Sequence, residues 1–447
     1  MRSLREVGKI SFMSTPQLDQ IIAHAKAGQP EAQFLLSQIC AQNGDNDGML
    51  HWLNIACSSG HVEAIGALGR CFESGRGIPS DMAVALEHYD RASLAGSKIA
   101  GFHKAQLLHK SRLGDDNQAL IRELLIDAAK ADFVPALRTI GYLAMQQDAS
   151  RELALNCLRL AAWHGDPVSS FNLGWYLENG GGDGRTPDEA SHWFQRANSA
   201  TYPLAAGHLH ATTLVPSDLP PPTVAHDIDF KVEFPLYPEQ KKAEKQTICS
   251  DPPICVFKNV LDATDCAYLM FLSRPFLERA AVINPDGDKS GMVSQVRTNQ
   301  STYIPFELVD IISRYAELKI VNETGEDLLC SEPMSVLCYA PGEYYRPHFD
   351  FFNPKLKTSQ ELMQDGGQRT ASAVSYLVAP SVGGGTSFPD LKLTVPAESG
   401  ATLWFRNCFD DGGIDKRSLH AGDTVEAGEK WAITKWFREK PTEYLKL

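Results

Sequence analysis

The chain lacks any run of about 18 apolar residues, the length a helix needs to cross a bilayer, so nothing in its 447 residues reads as a membrane span. It lacks a basic excess: 42 Lys and Arg stand against 55 Asp and Glu, a formal charge of −13. Nucleic-acid backbones demand clustered cations, so a nucleic-acid partner is not expected. It lacks paired cysteines: ten are scattered and none forms Cys-x-x-Cys, which argues against a disulfide scaffold and a structural zinc site. Reduced, mostly buried thiols and a cytoplasmic setting are the expectation. Met1 to Gln17 contains no apolar core of signal-peptide length. There is no convincing Gly-x-Ser-x-Gly elbow and no Cys–His protease arrangement. Histidine is scarce late in the chain: 11 of 13 lie at or before residue 226, leaving only His348 and His420.

What is present divides into two grammars. From about 20 to 205 the chain is rich in Ala, Leu and Gly at helical spacing. Ala64, Leu68, Cys71 and Phe72 fall on one helix face, Gly75 to Pro79 reads as a turn, and Met82, Ala85, Leu86, Tyr89 and Ala92 form a second face. The unit recurs. Gly60, Gly96, Ala131 and Gly165 follow one another at 36, 35 and 34 positions, and Leu68-Gly69 is echoed by Leu173-Gly174. Such a period predicts stacked helix pairs, because one pair cannot bury its own apolar face. The pattern resembles the Sel-one-like branch of tetratricopeptide-type repeats, in about five degenerate units. That resemblance implies an all-α helical-repeat solenoid with a protein-binding surface. The eleven early histidines lack metal spacing, and Gly180 to Gly184 reads as a loop between repeat helices, not as a phosphate cradle.

Around 213 to 226 the pattern changes. Pro216, Pro220, Pro221 and Pro222 cannot continue a helix, so residues 206–245 read as a linker, with Lys241 to Lys245 a solvated charge run. The remainder, 246–447, is β-rich. Ala371–Val378, Leu391–Val395, Ala401–Phe405 and Trp431–Phe437 are short apolar or alternating runs separated by Gly and Pro, as a sandwich or jelly roll requires. Asp262 to Ala280, with Asp262 suited to N-capping, and Phe306 to Leu318 are expected as flanking helices.

The two late histidines sit in pointed surroundings. In a strand, residues i and i+2 share a side, so His348 and Asp350 can reach one ion. Two imidazoles and one carboxylate leave three coordination positions free, the arrangement of Fe(II) oxygenases; His420 is the only histidine left to complete it. A dicarboxylic cosubstrate chelating the iron leaves a second carboxylate that needs a fixed cation. Lys430 is a candidate, if a strand starting there runs beside the one carrying His420.

The whole segment from Pro253 to Glu439 resembles the prolyl 4-hydroxylase family of 2-oxoglutarate/Fe(II)-dependent dioxygenases. Tyr339, Gly342, Tyr345, His348 and Asp350 fill the family's first motif in register; His420, Val425, Gly428, Lys430, Trp431 and Trp436 fill the distal one; Arg297-Thr298, Arg369-Thr370, Tyr376-Leu377 and Gly383 to Pro389 match between and before them. Gly385 stands where the family often has an acid, and Thr424 where it often has Pro. The resemblance implies a double-stranded β-helix (jelly-roll) domain with iron on His348, Asp350 and His420. Lys430 would hold the distal carboxylate of 2-oxoglutarate with help from Thr386 and Tyr339. Tyr345 and Trp436 would line the substrate side. It further implies O₂ as a reactant, L-ascorbate as an optional requirement, and a procollagen-proline 4-dioxygenase-like reaction on a protein or peptide, with the repeats recruiting the target. The alternatives are the same chemistry on a small molecule or free amino acid, and an idle oxygenase fold serving a repeat-scaffold adaptor. The loop Asn353 to Gln368 reads equally as a substrate lid or as a plain surface loop.

Overall fold

A computed structural model describes residues 15–110, 117–181, 187–210, 219, 221–237, 242–282, 292–293, 296–304 and 306–443. Pro216, Pro220 and Lys241, invoked above, lie outside the described residues. The chain divides into two compact units, one ending at Leu137 and one running from Arg138 to Lys446. Among the described residues no helix is long and apolar enough to cross a membrane.

The described residues of the N-terminal half form helices, in pairs. Thr15–Lys26 leads, then Pro30–Gln42 with Asn46–Ser58, Val62–Ser74 with Met82–Leu94, and Lys98–Lys110 with Gln118–Lys130. Val134–Ala144 with Arg151–Trp163, and Pro167–Glu178 with Pro187–Ser199, complete five pairs among the described residues. Starts are capped by side chains: Asp45, Asp81 and Asp166 each accept a backbone N–H of the first turn. The second helix of a pair ends two residues before a left-handed turn, at Gly60, Gly96 and Gly165. In the third pair that turn falls on Asp132 (φ 58°) and not on Ala131. Aspartate tolerates this conformation better than most side chains, so the repeat survives without its glycine and the register shifts by one residue. Close packing explains the inner glycines: a Cβ on Gly69 would meet the Tyr89 ring at 2.9 Å, and one on Gly174 the Phe194 ring at 3.0 Å. In the first unit a buried Lys110–Glu73 ion pair also receives the Tyr89 hydroxyl.

Within the second unit the last repeat helices are tied to the β-domain by polar groups. The Tyr142 hydroxyl donates to Asp265, which also accepts from Lys319 at 2.8 Å. Asp265 closes a capping box with Asp262 at the start of helix Ala263–Ser273. That helix is shorter than the sequence suggested, because Pro275 follows. The second flanking helix, Ile311–Thr324, likewise begins later than expected, after a short turn at Phe306–Leu308 and a capping box at Asp310. Residues 221–237, within the stretch read as a linker, are irregular, yet Ile228, Phe230, Phe234 and Leu236 are buried. Glu244–Ser250, at the end of the charge run, is an exposed edge strand.

The β-domain has two main sheets. The larger has eight antiparallel strands among the described residues, in spatial order Glu244–Ser250, Pro253–Lys258, Thr402–Arg406, Arg369–Val378, Lys430–Arg438, Ser335–Tyr339, Gln300–Tyr303 and Glu278–Arg279. The smaller runs Leu393–Val395, Thr386–Phe388, His420–Gly422 and Tyr345–His348. Ile254, Val256, Tyr376, Leu403 and Phe405 of the larger sheet pack with Phe388 and Val395 of the smaller. On the larger sheet's other face Trp431, Ile433 and Phe437 pack with Leu269, Ile320 and Val321 of the flanking helices. Two sheets closed on one core, helices outside, make the jelly roll that the short alternating strands foretold.

Candidate active site

His348 and His420 are direct cross-strand partners in the smaller sheet. Opposed residues in an antiparallel pair put their side chains on one face, and the two rings lie 4.3 Å apart between centroids. Asp350 is not on that strand, as the i, i+2 argument supposed. The strand ends at His348, and Asp350 sits in the bend beyond it, buried and turned back toward both rings. Its Oδ1 is 3.7 Å from His348 Nε2 and its Oδ2 3.5 Å from His420 Nε2. One ligand atom from each residue lies within 4.8 Å of the others, and no other such group occurs among the described residues.

Each ring is oriented by the chain. His348 Nδ1 lies 2.8 Å from the Arg346 carbonyl, and His420 Nδ1 3.0 Å from that of Ser418. A carbonyl can only accept, so Nδ1 carries the proton and Nε2 presents its lone pair to the centre. Burial, with His420 adding to it, pushes His348 well below the usual imidazole range, so it is neutral. Burial would raise Asp350; the neighbouring His420, His348 and Arg369 outweigh it, with the Ser372 hydroxyl, and hold the carboxyl down. Two imidazoles and one carboxylate fit a divalent transition metal with open positions.

Lys430 opens the last strand of the larger sheet, opposite Tyr339. It does not neighbour the His420 strand; that expectation fails because the two strands belong to different sheets. The two sheets face each other here instead. A Cβ on Gly422 would stand 3.4 Å from Tyr345 Cβ and 3.5 Å from the Tyr339 hydroxyl. Lys430 is 3% exposed, and its Nζ is 5.0 Å from the Tyr339 ring centroid and 5.4 Å from that of Tyr376. No hydrogen bond or ion pair reaches Nζ from the described residues. Burial pushes it down to about 8, against the pull of Asp423. A buried cation without an anion is costly, so this position suits an acidic ligand. Thr386 and Tyr376, both buried, share a hydrogen bond of 2.8 Å beside it. The departure at Gly385 has a local cause: a Cβ there would be 2.8 Å from the Val395 carbonyl oxygen.

Tyr345 stacks on His348 at 3.5 Å, and the Arg297 guanidinium lies 4.9 Å over the Tyr345 ring. Trp436 lies opposite Ser372 in the larger sheet; its indole N–H is buried without a partner among the described residues. The Arg369 guanidinium stacks on Trp436 at 3.9 Å, is paired with Glu332 at 2.6 Å, and donates to the Asp350 carbonyl at 3.4 Å. Arg438 also holds Glu332, and it donates to the carbonyls of Leu362, Asp365 and Gly367. Side-chain hydrogen bonds therefore tether the far end of the Asn353 to Gln368 loop.

Sequence reasoning named every one of the metal and lysine candidates but missed Tyr376 and Ser372 as site residues. A signal existed: Ser372, Val374 and Tyr376 alternate on one strand face. Asn407 and Glu332 carried none.

A jelly roll with two imidazoles and a carboxylate at one point, and an unpaired buried lysine across the sheets, defines a metal-dependent enzyme that takes an acidic cosubstrate. Residues 334–438 match the model of the 2OG-Fe(II) oxygenase superfamily, and residues 62–97 and 167–202 that of the Sel1 repeat. The chain is 32% identical over 212 residues to a probable prolyl 4-hydroxylase of Arabidopsis thaliana, covering 43% of this chain and 71% of that one. It is 28% identical to the rat prolyl 4-hydroxylase subunit alpha-1, over 49% of this chain and 40% of that one. A viral collagen prolyl hydroxylase from Paramecium bursaria Chlorella virus-1, solved with 2OG, matches at 26% identity and a TM-score of 0.31, over 43% of this chain and 98% of that one. The chain belongs to the prolyl 4-hydroxylase family of 2OG-Fe(II) oxygenases, with Sel1 repeats in its N-terminal half. The family implies Fe(II) and 2-oxoglutarate.

Proposed function

We propose that this protein hydroxylates prolyl residues of a protein or peptide. Iron is held by His348, Asp350 and His420, and 2-oxoglutarate by Lys430, Thr386 and Tyr339. The observation that carries this reading is the buried Lys430, which no anion of the described residues pairs, beside Tyr339, whose hydroxyl approaches Gly422 on the His420 strand. When bound, iron and 2-oxoglutarate supply the oxidising power, with O₂ consumed and the keto acid decarboxylated to succinate.

The chain's own residues do the positioning. The carbonyls of Arg346 and Ser418 keep both Nε2 atoms bare toward the centre. Lys430 neutralises the distal carboxylate in a water-poor setting, where a charge-assisted bond is strong. The ring of Tyr345 covers one side of His348, and Trp436, braced by Arg369, would line the substrate side with Tyr345. We assign target recruitment to the repeats at 20–205, joined through 206–245 to the catalytic part at 246–447. The ten free thiols support a reducing compartment, the cytoplasm.

The test is an anaerobic Fe(II) titration with 2-oxoglutarate, followed by the visible iron-to-ketoacid charge-transfer band. We expect a band in the wild type and none in His348→Ala. No band in folded protein overturns the metal assignment. Succinate release driven by free proline and not by a proline-rich peptide would overturn the substrate class.

A further inference from the structure

Asp350 is buried, and one of its two oxygens is already engaged by the protein. The Ser372 hydroxyl donates to Oδ2 at 2.7 Å, and Asn407 Nδ2 donates to Ser372 Oγ at 2.9 Å. Ser372 and Asn407 are fully buried. Neither belongs to the smaller sheet that carries the histidines. Ser372 is on strand Arg369–Val378, and Asn407 follows the end of strand Thr402–Arg406.

The polarity of this chain of bonds follows from chemistry. A carboxylate that binds a metal has no proton and can only accept. The single Ser372 proton is therefore spent on Asp350, and Ser372 must receive its second bond from a donor. Asn407 can only supply that from its NH₂ side, which fixes the amide orientation. Its backbone fixes the rest: Asn407 N–H donates to the Thr370 carbonyl at 2.8 Å, and its carbonyl accepts from Asp415 N–H at 2.9 Å.

We propose that Ser372 and Asn407 form a positioning relay that ties up Asp350 Oδ2, the oxygen nearest His420 Nε2, so that Oδ1 alone is left to serve the metal. This rests on the metal reading above. The consequence is a count of coordination positions. Two imidazoles and one carboxylate oxygen would leave three positions of a bound Fe(II) open, enough for a chelating keto acid and O₂. A carboxylate free to rotate can close on the metal with both oxygens and take one of the three. The relay prevents this and fixes the carboxylate plane before any metal arrives. Ser372 and Asn407 touch neither metal nor substrate; they act through Asp350.

Binding of Co(II) to the full-length protein, by competition with a fluorescent chelator and by its visible d–d absorption, tests the relay without turnover. Ser372→Ala should weaken Co(II) binding by about tenfold or more, the usual range for lost partners of metal ligands, and should change the d–d band. Ser372→Thr, which keeps the hydroxyl, should restore both. Asn407→Ala should act in the same direction but less strongly. Asn407→Asp discriminates most sharply: a carboxylate there takes the Ser372 proton for itself, so the variant should behave like Ser372→Ala. Ser372→Ala with wild-type affinity and spectrum overturns the relay, and so does a folded Ser372→Thr that fails to rescue. If Ser372→Ala does not fold, wild-type behaviour in both Asn407 variants overturns it. Failure of the metal reading looks different: the wild type binds no Co(II), or His348→Ala binds it equally well.

Discussion

Two lysines on one strand have opposite fates. Lys430 and Lys435 both lie on Lys430–Arg438 and both are buried. Five residues apart, they point to opposite faces of the sheet. Lys435 meets the helix side, where Glu317 and the Glu332 carbonyl receive its ammonium. Lys430 meets the side shared with the smaller sheet, where no anion of the described residues receives it. A buried cation that the protein itself satisfies is part of the architecture. One left without a partner marks a place prepared for a ligand. Burial alone does not separate the two cases; the partner list does.

The largest effect should come from breaking the satisfied member. Lys435→Met leaves Glu317 buried with only Arg314 as counterion, and removal of one partner of a buried pair typically costs about 3–5 kcal/mol. Urea unfolding should show a loss near the lower end of that range, since Arg314 remains. Lys430→Met should do the reverse. Without ligand its stability should equal or exceed that of the wild type, because an unpaired buried charge is removed. Its 2-oxoglutarate affinity should fall by at least about 30-fold, the lower end of the cost of truncating a buried charge pair. Equal destabilisation by both substitutions would erase the distinction.

A pH titration sharpens the same contrast. Burial holds Lys430 down to about 8, while an unfolded lysine titrates near about 10.4. Between these values the unfolded chain holds a proton that the folded chain has released. Stability of the ligand-free protein from this group therefore rises with pH across that window, and the penalty is fully present below it. Binding needs the ammonium, so 2-oxoglutarate affinity should be flat below about 8 and fall by up to tenfold per pH unit above it. In Lys430→Met both dependences should vanish. Calorimetric binding of 2-oxoglutarate between neutral and alkaline pH reads this directly, and an unchanged pH profile in Lys430→Met would place the titrating group elsewhere.

The two faces also differ in how legible they were. The triad and Lys430 could be picked out because His is rare after residue 226 and because the spacing of Tyr339, Gly342, Tyr345, His348 and Asp350 is specific. Sequence spacing speaks of neighbours along the chain, however, and not across sheets. The sequence therefore suggests Lys430 beside His420, whereas its strand partner is Tyr339 and the approach to the metal strand is through Gly422. For the same reason the i, i+2 spacing suggests a strand through Asp350, although the strand stops at His348. Ser372, Asn407 and Tyr376 are single polar residues within apolar runs, and only the closed sandwich shows what they face. In the repeats, a glycine pattern located the turns until Asp132 supplied the left-handed residue instead. Ile228, Phe230, Phe234 and Leu236 were hidden by the prolines around them, since composition suggested a solvated linker where the chain packs.

The smallest effect lies beside Lys430 itself. Tyr376 shares a hydrogen bond with Thr386, and its ring lies 5.4 Å from Lys430 Nζ. Tyr376→Phe keeps the ring, and so the shape and the apolar wall that make Lys430 titrate low. It removes only the hydroxyl that fixes Thr386. If Thr386 assists Lys430 in holding a carboxylate, the loss should be that of one neutral hydrogen bond, about 1 kcal/mol or roughly fivefold in 2-oxoglutarate affinity. The pH profile should stay that of the wild type, because the ammonium and its burial are untouched. A loss as large as that of Lys430→Met would mean that the Tyr376–Thr386 pair is the primary anchor and that Lys430 serves mainly to balance charge. No loss at all would mean that Thr386 finds its orientation from the strand alone, leaving Lys430 as the whole of the recognition on this face.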